Sequence, residues 1–270
     1  MTQNLNAANN PTLANNLIDK VLAEPEVQIE KANIQYPADN LVTLPGGYIS
    51  ATGEVIKTVE VRELNGRDEE LITKTSNIGR LFSTILSRGT VSVGALKADE
   101  NILDNLLAGD RDAVLLGIYK ATFGSTTELE SFCQGCQDYK TVEVDIDRDI
   151  KSKVLVDPVK DRVFTVYGKS HEYTVILPNG ATQRELSSNL DKTLSELNTM
   201  LLEQTVVEID GNPVVSKNQV QNIGIADRRK ISEELTKRTP GPQFETVTIT
   251  CPDCEGEVVV PINLGTLFRF

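Results

Sequence analysis

Every cysteine in the chain falls in one of two short knuckles, Cys133-Gln134-Gly135-Cys136 and Cys251-Pro252-Asp253-Cys254. Strand-like runs flank both: Glu128-Leu129-Glu130-Ser131-Phe132 and Thr141-Val142-Glu143-Val144-Asp145-Ile146 around the first, residues 244–250 and 257–262 around the second. Strand, knuckle, strand is the pattern of a zinc ribbon. Two thiolates three residues apart supply half of a tetrahedral Zn(II) site, and two such halves complete it. Four thiolates leave no coordination position for water, so the expected ion is one structural Zn(II) held by Cys133, Cys136, Cys251 and Cys254. Iron is the other metal such a donor set accepts. Two further readings stay open: a redox dithiol at Cys251-Pro252-Asp253-Cys254, and thiols that are buried free or joined as disulfides.

The knuckles stand far apart. Between Cys136 and Cys251 lie 114 residues, against roughly 15–20 in an ordinary ribbon. An internal repeat accounts for the distance. Asn65-Gly66 matches Asn179-Gly180 at an offset of 114, Thr90-Val91 matches Thr205-Val206 at 115, Asp110-Arg111 matches Asp227-Arg228 at 117, and the knuckle cysteines match at 118. Such a slow drift is what small loop insertions produce. The expected fold is therefore α+β: a tandem duplication of a strand-hairpin plus short-helix unit, each ending in a CxxC knuckle. A shared zinc-ribbon-like site with four cysteine ligands, close to a pseudo-two-fold axis, joins the copies. The expected divisions are an N-terminal arm over residues 1–40, a first repeat over 41–150 and a second, diverged repeat over 151–270.

Composition restricts the partners. A net charge of −12 disfavours nucleic acid, whose phosphates need a basic footprint. No stretch approaches the roughly 18 apolar residues of a membrane span, and the N-terminus lacks the basic and apolar regions of a signal peptide. A reducing cytoplasm is expected, where CxxC pairs bind metal more often than they form structural disulfides. No nucleophile and base pair or phosphate loop is visible, so no enzymatic activity is expected.

The arm opens with an Asn-rich stretch. Leu13, Leu17, Ile18, Val21 and Leu22 then fall at helical spacing. A helix this short is not stable alone in water and gains order by docking, so Leu13, Leu17, Ile18 and Val21 are expected to bind a partner. In the first repeat Asn65 is placed to cap a helix, with Asp68, Glu69 and Glu70 in its first turn as a solvated, dipole-matched group rather than a catalytic one. Asp110 is expected to cap a later helix. In the second repeat Leu186, Leu190, Leu194, Leu197 and Leu201 suggest one long apolar stripe, and His171 is an ordinary strand residue.

Four stretches together carry a resemblance: Val61-Arg62-Glu63-Leu64-Asn65-Gly66-Arg67-Asp68-Glu69-Glu70-Leu71, Arg88-Gly89-Thr90, Leu107-Ala108-Gly109-Asp110-Arg111, and the knuckle. In these the chain resembles the baseplate hub and baseplate assembly proteins of phages with contractile, T-even-type tails. The resemblance covers residues 42–147 and, more loosely, 244–265. The second repeat departs from it at Asn179-Gly180-Ala181-Thr182-Gln183-Arg184-Glu185. It implies a non-enzymatic structural adaptor that holds neighbouring tail or baseplate proteins together, in several copies per particle. Such a protein resides in the virion and, during assembly, in the host cytoplasm. The alternative it implies is a transient tail assembly chaperone absent from the mature virion.

Overall fold

Asparagine caps and glycine-rich turns set where the elements begin. The computed structural model describes residues 40–75 and 77–268. Leu13, Leu17, Ile18 and Val21, and the expected arm apart from its last residue, lie outside the described residues. The first half runs β1 (Leu41–Ile49), β2 (Val55–Val61), α1 (Gly66–Thr73), α2 (Ile78–Gly89), β3 (Thr90–Val93), β4 (Leu96–Lys97), α3 (Glu100–Asn105), α4 (Ala108–Phe123), and then the hairpin β5 (Thr126–Cys133) and β6 (Asp138–Asp145). Short α5 (Ile146–Asp149) and β7 (Lys151–Lys153) cross to the second half. There the order recurs as β8 (Val163–Tyr167), β9 (Glu172–Ile176), α6 (Gly180–Ser187), α7 (Leu194–Thr205), β10 (Val206–Ile209), β11 (Asn212–Pro213), α8 (Lys217–Gln221) and α9 (Ile225–Arg238). Strand β12 (Gly241–Gln243) returns to pair with β7, and the hairpin β13 (Thr246–Thr250) and β14 (Glu257–Pro261) precedes α10 (Leu264–Leu267). Each half has an antiparallel four-stranded sheet with strands in sequence order, β1-β2-β3-β4 and β8-β9-β10-β11.

The burial pattern separates two cores. One is built from the first sheet and its helices, with Val59, Ile72, Ile85, Leu106 and Ile118 buried in it. Both knuckle hairpins join this core, through Val142 and Val144 of β6 and Val258 and Val260 of β14. Along β14 alternate residues face inward, and full burial of each valine contributes about 1.5–3 kcal/mol. The second core gathers Tyr173, Val175, Leu202, Val220, Ile231 and Leu235 from the second sheet and its helices. The last hairpin thus leaves the half that precedes it and packs beside the first hairpin, where Ser131 Oγ donates to the Val259 carbonyl at 2.7 Å.

Four expectations need correction. Asp68 is not solvated: it is fully buried and accepts from Arg88 Nε at 2.7 Å, Arg62 Nη1 at 2.8 Å and the Asn65 N–H at 3.0 Å. It closes a capping box with Asn65 and ties α1 to β2 and α2 at the same time. Asp110 is not a cap. Helix α4 starts two residues earlier, and the Asp110 carboxylate turns away from it to accept the Gly46 N–H of β1 at 2.6 Å. The leucine stripe is not one helix. Ser188 and Asn189 bond back to the carbonyls of Arg184 and Glu185 at the end of α6, while Thr193 and Glu196 form a capping box that starts α7. Leu190 and Leu194 are left exposed between and at the ends of these helices.

A single two-fold axis does not relate the halves either. Helix α6 packs against α2, α3 and α4. A two-fold would seat α1 against α7, α8 and α9 in the same way, and among the described residues α1 makes no comparable contact with them. Around the cysteines the arrangement is reciprocal, Cys133 facing Cys254 and Cys136 facing Cys251.

Candidate metal centre

Both knuckles are the same turn. Cys133 is the last residue of β5, paired with Asp138 across the hairpin, and the chain reverses through Gln134, Gly135 and Cys136. Cys251 follows β13; its N–H donates to the Gly256 carbonyl at 2.7 Å, and the Glu255 N–H returns to the Cys251 carbonyl at 3.0 Å. The residue after each second cysteine, Gln137 or Glu255, takes the left-handed conformation, with φ of 55° and 58°. A non-glycine residue adopts this region at some cost, and here it closes the knuckle and redirects the chain into the return strand.

Packing of β5 against β14 brings the two turns face to face. The four sulfurs lie within 4.8 Å of one another, with Cys133 Sγ 3.6 Å from Cys254 Sγ and Cys136 Sγ 3.6 Å from Cys251 Sγ. A disulfide needs about 2.05 Å, so both of these cross-knuckle pairs are thiols. Four sulfurs at about 2.3 Å from a common tetrahedral centre stand roughly 3.8 Å apart, close to what is observed. Cys133 and Cys251 are buried, Cys136 is half-buried and Cys254 is exposed. The cluster has room for a metal ion and an all-thiolate donor set to hold it. Gly135 makes that approach possible, because a Cβ there would lie 2.7 Å from Cys254 Sγ.

Local electrostatics bear on how the thiols ionise. Backbone N–H groups of Asp253 and Cys254 point at the Cys251 sulfur and draw its pKa down to about 7 against the effect of burial. Cys136 is pushed up to about 12, because its thiol hydrogen-bonds to the sulfurs of Cys254 and Cys251. Four thiols at this spacing cannot all ionise without a counter-charge, and a bound cation supplies one. Lys140 adds a positive charge at the edge. Its Nζ lies 2.6 Å from Asp253 of the second knuckle and 3.2 Å from Asp138 of the first hairpin, and these hydrogen bonds raise its pKa.

All four sequence-predicted cysteines are therefore brought together. Lys140, Gln137 and Glu255 were not expected to take part. The left-handed residues carry no sequence signal, being neither Gly nor Asn, and the partner of Lys140 lies 113 positions away.

The class the structure defines is a mixed α/β chain whose four cysteines converge between two hairpins, in a cluster that could hold a metal ion. Residues 48–269 match the family model described as T4 bacteriophage base plate protein. The match spans most of the chain, which belongs to that family. Neither the curated proteins nor the solved structures gave a match. No helix among the described residues is long and apolar enough to cross a membrane.

Proposed function

We propose that this phage baseplate protein is a structural adaptor of the tail baseplate or hub, with one Zn(II) as a staple between its two knuckle hairpins. The observation that carries the reading is the convergence of Cys133, Cys136, Cys251 and Cys254, from hairpins more than a hundred residues apart, within 4.8 Å. A saturated four-thiolate site has no position for substrate, so the ion fixes structure and the protein carries no catalytic activity of its own. Zinc rather than iron suits a mononuclear tetrahedral site with no redox demand. A tandem duplication is the origin that best accounts for the recurring element order and the matching stations of the two arginines at 111 and 228. On this reading each copy contributed half of a metal site.

The partners are other tail and baseplate proteins, in several copies per particle, and Leu13, Leu17, Ile18 and Val21 of the arm bind a neighbour. The protein assembles in the host cytoplasm and remains in the virion. Quantitative mass spectrometry of purified particles, with zinc analysis of the isolated chain, tests this reading. A fixed whole-number stoichiometry in finished tails is expected. Absence from finished tails with presence in assembly intermediates would instead establish a transient chaperone.

A further inference from the structure

The contact between the halves has a counterpart in α1 and in the α7, α8, α9 groove that no described residue fills. Within the chain, α6 is seated in a groove formed by α2, α3 and α4. Gly180 at its start donates its N–H to the Leu106 carbonyl at 2.9 Å, and the Ala108 N–H donates to Pro178 at 2.9 Å. Only glycine fits there, since a Cβ would stand 2.6 Å from the Leu103 carbonyl oxygen. Arg184 pairs with Glu100 at 2.9 Å and also with Asp104, and Gln183 reaches Asp112 at 3.4 Å.

Helices α7, α8 and α9 form the equivalent groove of the second half, an open cleft of about 870 Å³. Leu194 and Ile225 on its wall are 85% and 73% exposed. The helix equivalent to α6 is α1, which also begins at Asn-Gly. Gly66 is exposed and a Cβ there would meet nothing within 4 Å, so no contact inside the chain requires glycine at that position.

The charges complete the case. Aligning the two Asn-Gly starts puts Glu69 and Glu70 where α6 has Gln183 and Arg184. Aligning Arg111 with Arg228 puts Lys217 where the first groove has Glu100, and Arg229 where it has Asp112. The internal pair Arg184 with Glu100 thus becomes Glu70 with Lys217, reversed in sign, and Gln183 with Asp112 becomes Glu69 with Arg229. All four of these charged residues are exposed; among the described residues Lys217 lies 3.6 Å from Glu203 and close enough to Glu196 to lower its pKa.

We infer that the outer face of α1 in one copy seats in the α7, α8, α9 groove of a second copy, repeating the internal contact between chains. Gly66 approaches the Ile223 backbone as Gly180 approaches Leu106. The two surfaces are unlike, so the contact is head-to-tail and builds a ring or an open string. It goes beyond the adaptor reading and does not involve the metal, so its failure leaves the zinc staple standing.

Sedimentation of the purified full-length chain over a concentration series tests it, with circular dichroism confirming that each variant is folded. Wild type is expected to associate reversibly. Glu70→Lys and Lys217→Glu should each raise the dissociation constant roughly tenfold or more by setting like charges together, and the double variant should restore association. A wild-type chain that stays monomeric at roughly 100 micromolar, its groove being left to a different baseplate subunit, overturns the inference. Association that neither reversal weakens, or that the double variant fails to restore, overturns it equally.

Discussion

Arg111 and Arg228, 117 positions apart, hold the same station in the two halves. Each donates from Nη1 to the backbone carbonyl eight residues earlier, Leu103 at 3.0 Å and Val220 at 3.2 Å. Each turns Nη2 to a hydroxyl two helices earlier, Ser83 of α2 at 3.4 Å and Thr199 of α7 at 2.7 Å. They differ in enclosure: Arg111 is buried under α6 and lies 3.4 Å from Asp104, whereas Arg228 borders the open groove.

That difference predicts unequal costs. Arg111→Met leaves the Leu103 carbonyl without its donor in a covered site and should destabilise the chain by about 2–4 kcal/mol. Arg228→Met, where water can replace the lost donor, should cost about 1 kcal/mol or less. Urea titrations of the two variants compare them. Equal costs would mean that α6 does not shield Arg111 from water.

A second prediction concerns pH. Burial pushes Asp110 up to about 6, with the Gly46 N–H and the Arg162 charge only partly opposing it. The folded chain therefore holds a proton at pH 5 that the unfolded chain, near the ordinary aspartate value, has largely lost. This contribution to stability is fully present below about pH 4 and is lost progressively as pH rises from there through 6. Lowering pH from 7.5 to 5.5 should accordingly raise the unfolding temperature, with metal content monitored throughout. Asp110→Asn should flatten part of that rise, since burial also pushes Asp112 up to about 6, and be the more stable protein at pH 7.5. An unchanged pH slope in the variant would show that Asp110 is not the group responsible.

Asp68 behaves in the opposite sense. Burial alone would raise its pKa, but hydrogen bonds from Arg62, the Asn65 N–H and Arg88 hold it at about 2. Its contribution is present above about pH 4 and is lost as pH falls towards 2. Acid unfolding of Asp68→Asn should therefore lack part of the steep loss seen in wild type below pH 4. Superimposable acid limbs would contradict this.

Gly135 offers a test of how closely the knuckles approach. A methyl group there would fall 2.7 Å from Cys254 Sγ, while one at Gly256 would stand at 3.2 Å from the same sulfur. Competition with a chelator should show Gly135→Ala losing about tenfold or more in metal affinity, and Gly256→Ala losing less. The reverse order would mean that the second knuckle, not the first, limits the approach.

Much of this was legible in the sequence because the signals were local. Strand alternation such as Glu257 to Pro261, the caps at Asn65 and Asn179, and the paired knuckles each depend on residues within a few positions. The register of Asn-Gly, Asp-Arg and CxxC also pointed to an element order that recurs. What the sequence could not convey depended on distant contacts. Asp110 looks like a cap until Gly46 of another strand is placed against it. Asp68 looks solvated until Arg62 and Arg88 close over it. The destination of the last hairpin, in the first core rather than with the half that precedes it, is set by Val258 and Val260 meeting a surface more than a hundred residues away. No periodicity within the hairpin reports that choice.

The central claim, that one zinc is shared by both knuckles, is tested most directly by native mass spectrometry of the full-length chain, wild type beside Cys133→Ser and Cys251→Ser. One zinc per wild-type chain is expected, with the metal lost from both variants, because either substitution removes one of four shared ligands. Two ions in wild type, none, or one ion retained in full by either variant would contradict the account.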